Sequence, residues 1–323
     1  MKKIVNYIKL IRPLNLIIII ILQCIIKFFL INEFIINPAL SNINYIFFLL
    51  STILITAAGY IINDIYDEKS DKINRDNKRI INKNIDSRIA IVWYCIFNIL
   101  AFILIFYVSW IIKKPTFSLI FLYSIFILWK YSKSLKIKLL RGNFVVSWLI
   151  ALSIINLGLF DIIPVMGIEN SSIIIFKIII VYSIFSFFMT LSREIIKDVE
   201  DKEGDILLNA NTVILKFGLK KTKLIINLIN TLVLLMIGYW QYFQYSLNRS
   251  SFENNQKIEV WGTDINSIIY TVILQFFVFI FIYKTYFAKI KKDFSFLSRL
   301  SKVIMILGIF SILFFTKNFI KIC

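Results

Sequence analysis

Ala57-Ala58-Gly59-Tyr60-Ile61-Ile62-Asn63-Asp64-Ile65-Tyr66-Asp67-Glu68-Lys69-Ser70-Asp71 is the stretch on which the reading of this chain turns. It is the end of a long apolar run, Ile46 to Ile62, passing directly into carboxylates. Asp64, Asp67 and Asp71 fall at i, i+3 and i+7, so a helix carries them on one face. The pattern recurs after a second apolar run, Ile173 to Leu191, where Glu194, Asp198, Asp201 and Asp205 fall at i, i+4, i+7 and i+11. Adjacent carboxylates about 5.5 Å apart repel by roughly 3 kcal/mol at an effective dielectric near 20. Such stripes predict a cation between them.

Working outward, the apolar run is one of many. Hydrophobic residues make up 59% of the 323, far above the globular norm. Nine runs approach the roughly 20 residues that cross a bilayer as a helix: 14–31, 46–62, 89–112, 117–129, 144–160, 173–191, 224–242, 268–283 and 303–316. The expected fold is therefore all-α, a polytopic membrane protein with nine transmembrane helices. No Pro/Gly/Ser-rich linker divides it, so residues 1–323 read as a single domain. The net charge of +18 first suggests nucleic acid, but its distribution reports topology instead. Counted between the runs, Lys and Arg number 4, 7, 5, 7 and 6 on one side and 0, 2, 0, 2 and 2 on the other. The positive-inside rule then puts the N-terminus and both acidic stripes in the cytoplasm. A retained first span, rather than a cleaved signal, follows Met1-Lys2-Lys3, since no small-residue cleavage site follows the run. The absence of histidine excludes imidazole catalysis and His-ligated metals, and Cys24, Cys95 and Cys323 are too dispersed for a zinc site.

The stripes follow the second and sixth runs, an offset of four helices in the same orientation. Two four-helix units facing a common centre bring them together on one side of the membrane. Magnesium prefers oxygen ligands, often one or two carboxylates plus substrate phosphates. Carboxylate stripes facing each other are thus suited to metal ions bridging a diphosphate, with Asn63 adding an oxygen or orienting Asp67. Apolar helices around the site offer a groove for a hydrocarbon tail, and head and tail together indicate a prenyl diphosphate. Arg75, Lys78, Arg193 and Lys197 are the nearest cations in sequence for the departing diphosphate; each alone also reads as ordinary membrane-surface charge. Tyr131-Ser132-Lys133-Ser134-Leu135-Lys136, before Arg141-Gly142-Asn143, is a third candidate segment, whose Lys136 is placed to contact an acceptor phosphate or the diphosphate and reads equally as a positive-inside lysine at a helix end. A cation transporter is disfavoured, because it should carry ionisable residues inside its spans.

Asn63 to Asp71 fits NDxxDxxxD, and Lys197 to Asp205 fits KDxxDxxGD with Glu203 in between. With nine spans, the whole chain resembles the UbiA-type superfamily of intramembrane prenyltransferases. The resemblance implies a helical bundle around a central cavity and Mg²⁺-dependent prenyl transfer. It also implies metal and diphosphate binding by Asn63, Asp64, Asp67, Asp71, Asp201 and Asp205, with Asp198 auxiliary and Tyr131 and Lys136 in a basic patch. Arg12-Pro13, the Ala57 to Asp64 segment and Arg193-Glu194-Ile195-Ile196-Lys197-Asp198 look most like the geranylgeranylglycerol-phosphate geranylgeranyltransferase branch. That branch implies a glycerol-phosphate-type acceptor and an ether-lipid product; an aromatic acceptor such as dihydroxynaphthoate is the alternative. The segment Asn74-Arg75-Asp76-Asn77-Lys78-Arg79 lacks the prolines many members carry, and Asn211 stands before Thr212 where a basic residue is common. The expected setting is a bacterial cytoplasmic membrane, with membrane lipids as neighbours and no nucleic-acid partner.

Overall fold

In the computed structural model, residues 2–74, 79–167, 171–207, 209–253 and 262–315 are described. Helices account for nearly all of them. In chain order they are α1 (Lys2–Leu10), α2 (Pro13–Ile25), α3 (Asn32–Phe34), α4 (Asn42–Tyr66), α5 (Glu68–Asn74), α6 (Ser87–Ile111), α7 (Ser118–Lys130), α8 (Arg141–Asp161), α9 (Ser171–Glu200), α10 (Lys202–Leu207), α11 (Val213–Glu253), α12 (Ile265–Phe287) and α13 (Lys291–Phe315). Local chemistry starts several of them. Pro13 occupies the first turn of α2, where its missing N–H costs nothing. Ser41 and Asp264 cap α4 and α12 by accepting the Asn44 and Ser267 amides at 3.3 and 3.1 Å.

Among the described residues, eight helices are long and apolar enough to cross a membrane. The fourth expected span is the exception. Its helix, α7, has 13 residues, about 20 Å at 1.5 Å per residue and short of a roughly 30 Å hydrocarbon core. The chain continues it as a π-helical turn, Tyr131–Leu135, rather than stopping at Lys130. The last span also differs from expectation: α13 starts at Lys291 rather than near Val303, so Lys302 lies three turns inside a helix. Side chains such as Ile99, Ile103, Leu228, Leu235, Phe276 and Phe279 stand exposed on the outer faces, as lipid-facing residues do.

Two cores share α9. One packs α2, α4, α6, α7 and α8 against its first half through Ile105, Leu157 and Ile175; the other packs α11, α12 and α13 against its second half through Met189, Val233, Phe281 and Leu297. Gly59 makes the α4–α7 approach possible, since a Cβ there would lie 3.1 Å from the Leu128 side chain. At the end of the bundle away from the acidic segments, Lys27 is not the isolated charge its sequence position implies. Its ammonium meets Asp161 at 2.6 Å and donates to the Leu40 carbonyl at 2.9 Å, while the Leu40 amide donates to Asp161 at 2.8 Å. A charge buried this deeply requires such pairing.

Candidate active site

Both acidic segments bend where their carboxylates concentrate. Helix α4 ends at Asp67 and α5 begins at Glu68, while α9 ends at Glu200, Asp201 makes a turn and α10 begins at Lys202. Hydrogen bonds of helical spacing run across both bends, from the Asp71 amide to Asp67 and from the Asp205 amide to Asp201, at 2.8 and 3.1 Å. Each stripe is therefore two short helical pieces rather than one straight face. The pieces α5 and α10 pack against each other, which brings the two segments to one end of the bundle.

The cation demanded by those carboxylates is Lys136. Its ammonium contacts the Asp67 carboxylate and lies in the field of Asp205 and Asp64. Burial pushes the lysine down to about 8 despite those carboxylates. Burial, reinforced by the like charge of Asp201, pushes Asp205 up to about 6, against the pull of Lys136. Local backbone explains how a lysine from another loop arrives here. After the π-helical turn, the Asn211 amide donates to the Ile137 carbonyl at 2.7 Å, tying this loop to the one that follows α10. Leu140 adopts a left-handed conformation (φ 56°), and a Cβ on Gly142 would lie 2.7 Å from the Lys136 Cα. Only glycine admits that approach. Next to it, Asn143 donates to Asp198 at 2.9 Å.

Asn63 orients a neighbouring carboxylate, the second of the two roles its position allows. Its amide nitrogen donates to Asp67 at 2.6 Å, which leaves its Oδ1 buried and without a hydrogen-bond partner on the wall of a cavity. The expected magnesium fits this donor set, which offers hard oxygens only. Among the described residues no three carboxylates converge tightly enough to cage an ion by themselves. Partial protein coordination is usual for magnesium, whose remaining positions go to water and phosphate.

Below Asn63 the cavity, about 180 Å³, runs into the bundle. Its mouth carries Arg12, Tyr60, Tyr131, Glu194 and Lys197; its depth is lined by Ile19, Ile55, Leu128, Val146, Leu149 and Ile150. Thr52, Phe121 and Asn156 mark the far end. Phe121, at that end, packs against Phe48 and Phe160, with ring centroids 5.2 to 5.7 Å apart within the trio.

Two carboxylates of the stripes carry cations of their own. Asp64 pairs with Arg12 at 2.5 Å, and Glu194 pairs with Lys197 at 2.5 Å and Arg193 at 3.1 Å. Glu194 therefore serves cations rather than completing the second stripe, because its helix turn faces basic neighbours. Arg75 lies outside the described residues. Arg12, Tyr60 and Asn143 fall in segments the sequence singles out but carry no role there, and Lys302 falls in none of them. Arg12 holds a left-handed conformation (φ 52°) before Pro13 and stacks over the Tyr60 ring at 4.8 Å; its signal was a cation immediately before a proline-initiated span. Lys302 had been counted with loop charge.

The sequence matches the UbiA prenyltransferase family over residues 30–248. A digeranylgeranylglyceryl phosphate synthase of Sulfolobus acidocaldarius is 37% identical over 188 residues, covering 56% of this chain and 60% of the relative. The corresponding enzyme of Methanosphaera stadtmanae is 27% identical over 257 residues, 80% of this chain and 81% of that one. The first match thus spans less than two thirds of the relative. Among solved structures, a digeranylgeranylglyceryl phosphate synthase superimposes with a TM-score of 0.65 at 20% identity, over 98% of this chain and 99% of the other. A homologue from Archaeoglobus fulgidus bound to GPP and Mg²⁺ superimposes at 0.58 and 15% identity, over 95% and 99%. These likenesses establish a shared fold.

Proposed function

The chain belongs to the UbiA prenyltransferase family, and from that premise we propose that it transfers a geranylgeranyl group from its diphosphate to the hydroxyl of a glycerol-phosphate-type acceptor, giving an ether lipid. The enzyme is an integral multi-pass membrane protein; its single domain opens its active site toward the cytoplasm. The observation that carries this reading is the packing of α5 on α10 beside Lys136, which gathers carboxylates from both motifs beside an apolar cavity. Relatives named as digeranylgeranylglyceryl phosphate synthases support the acceptor class, and neighbours crystallised with GPP or DMAPP and Mg²⁺ support the donor and metal.

Asn63, Asp64, Asp67 and Asp71 on one side and Asp198, Asp201 and Asp205 on the other would hold Mg²⁺ together with the donor diphosphate. Bound magnesium neutralises charge as it develops on the leaving group. Asn63 keeps one carboxylate of the set in place through its 2.6 Å hydrogen bond to Asp67. Asn143 does the same for Asp198. Lys136 donates to a diphosphate oxygen and strengthens its hold as the C1–O bond breaks and the electron pair passes to that oxygen. Tyr131 lines the mouth beside the reacting carbon, and the apolar walls hold the tail and keep water from the allylic cation. The acceptor oxygen bonds to C1 and its proton passes to the departing diphosphate.

Purified protein with Mg²⁺ and labelled geranylgeranyl diphosphate tests this. It should yield product with geranylgeranylglyceryl phosphate. Product from dihydroxynaphthoate alone overturns the acceptor. Asp67→Ala and Asp201→Ala should be inserted but inactive; full activity in either removes the metal-site assignment.

A further inference from the structure

The described site carries two opposite charge imbalances. Around α5 and α10, carboxylates outnumber the one buried lysine that joins them. On the side formed by the start of α2, α9 and α13, the imbalance reverses. Arg12 pairs with Asp64, and Arg193 and Lys197 share Glu194. Lys302 donates to the amide oxygen of Asn15 at 3.3 Å, and its electrostatic neighbours are Arg193, Arg12 and Glu194. Three of these four cations therefore pair directly with two carboxylates, while Asp71 and Asp198 act on Arg12 and Lys197 at longer range. The Arg193 Nε is buried with no hydrogen-bond partner. Lys302 lies in a helix long and apolar enough to cross a membrane, where an ionisable side chain marks a functional position.

Resting on the prenyl-transfer reading above, we propose that Arg12, Arg193, Lys197 and Lys302 seat the phosphate of the acceptor, on the opposite side of the mouth from the diphosphate of the donor. A phosphomonoester carries about −1.5 to −2 charges near pH 7, enough to engage several of these cations at once. Its oxygens accept hydrogen bonds in the forked geometry that arginine offers. Arg12 and Lys197 both line the central cavity, so a phosphate held by them faces the same chamber as the donor. The Arg12–Asp64 pair links the two sides, since Asp64 belongs to the first acidic segment. An acceptor without an anionic group would make none of these contacts.

The test is a cycle of two enzymes and two acceptors. Wild-type enzyme and Lys302→Gln, in lipid nanodiscs with Mg²⁺ and geranylgeranyl diphosphate, are assayed with geranylgeranylglyceryl phosphate and with the corresponding phosphate-free alcohol. Wild type should prefer the phosphate-bearing acceptor. Lys302→Gln should raise its KM about 10- to 100-fold, the size of one lost charge-assisted hydrogen bond, while the alcohol and the donor KM are unchanged. Lys302→Arg should retain most of the preference, and Arg193→Gln should repeat the loss. Equal losses on both acceptors, or a rise in donor KM instead, overturn the assignment. Thermal stabilisation of the Mg²⁺-free protein by each acceptor gives a second readout. If no acceptor yields product, prenyl transfer itself fails; selective stabilisation by the phosphate-bearing lipid, lost in Lys302→Gln, still supports the anion seat, and its absence removes it.

Discussion

Gly142→Ala is a one-carbon perturbation whose sign can be worked out. Gly142 lies in the first turn of α8, where alanine ordinarily stabilises a helix by up to about 1 kcal/mol. The added Cβ would stand 2.7 Å from the Lys136 Cα and 3.3 Å from the Leu135 carbonyl oxygen. Carbon pairs settle near 3.5 to 4.0 Å, so the backbone carrying Lys136 must retreat by roughly 1 Å. Overpacking of that kind costs about 1–3 kcal/mol, which exceeds the helix gain. The retreat also lifts the ammonium from Asp67, and a misplacement of about 1 Å costs up to 100-fold in rate. The expected outcome is a modest drop in melting temperature and a ten- to hundredfold loss in kcat, with Gly142→Ser behaving alike. Prenyl transfer is followed by labelled product, and folding by thermal unfolding in detergent. A variant that melts higher and turns over at the wild-type rate refutes the claim that Gly142 positions Lys136.

The pH profile should reflect two shifted groups. Asp205, raised to about 6, is protonated and loses its affinity for metal below that pH, while Lys136, lowered to about 8, loses its charge above it; kcat/KM should fall on both sides, and Lys136→Arg should displace the alkaline limb alone. Lys27→Met leaves Asp161 as an unpaired buried charge and should cost about 3–5 kcal/mol, whereas Lys27→Met with Asp161→Asn keeps an acceptor for the Leu40 amide and should recover most of it; equal melting of single and double variants contradicts the pairing. From Asn63 to Thr52 the cavity wall spans 11 residues of α4, about 16 Å at 1.5 Å per residue. At about 1.2 Å per bond, as in an extended main chain, an isoprene unit takes roughly 5 Å, so the fourth unit reaches the phenylalanine floor. Phe121→Ala should improve a five-unit donor at least tenfold relative to a four-unit one, and an unchanged ratio excludes the floor as a length stop.

What was legible in the sequence was whatever repeats along one helix. Apolar length marks the spans, and carboxylate spacing marks Asp64 to Asp71 and Glu194 to Asp205, because both are periodic properties of a single segment. Pairings across helices leave no such trace. Glu194 has the right spacing for the second stripe, yet it turns to Arg193 and Lys197. Lys27 reads as an anomaly until Asp161, 134 residues away, is seen against it. Lys302 was hidden by a different error: hydropathy ends a span at the first charge, whereas the helix continues outward to Lys291.

The strained backbone was equally illegible, and its distribution argues that the site is built at a cost. Five non-glycine residues have positive φ among those described, and three of them, Arg12, Leu140 and Asn209, adjoin the three segments that meet at the cavity mouth. Glycine would remove the steric penalty of such conformations, roughly 1–2 kcal/mol each for other residues, yet none of the three positions is glycine. At Arg12 the side chain itself supplies the reason, since it must reach Asp64 while Pro13 opens the helix. Leu140 reverses the chain between Lys136, which meets Asp67, and Asn143, which meets Asp198. Asn209 turns the chain out of α10, two residues before the Asn211 amide that holds the Lys136 loop. Irregular backbone at the edge of a bilayer persists only where protein or a polar cavity satisfies it, and here all three departures surround the same charged mouth.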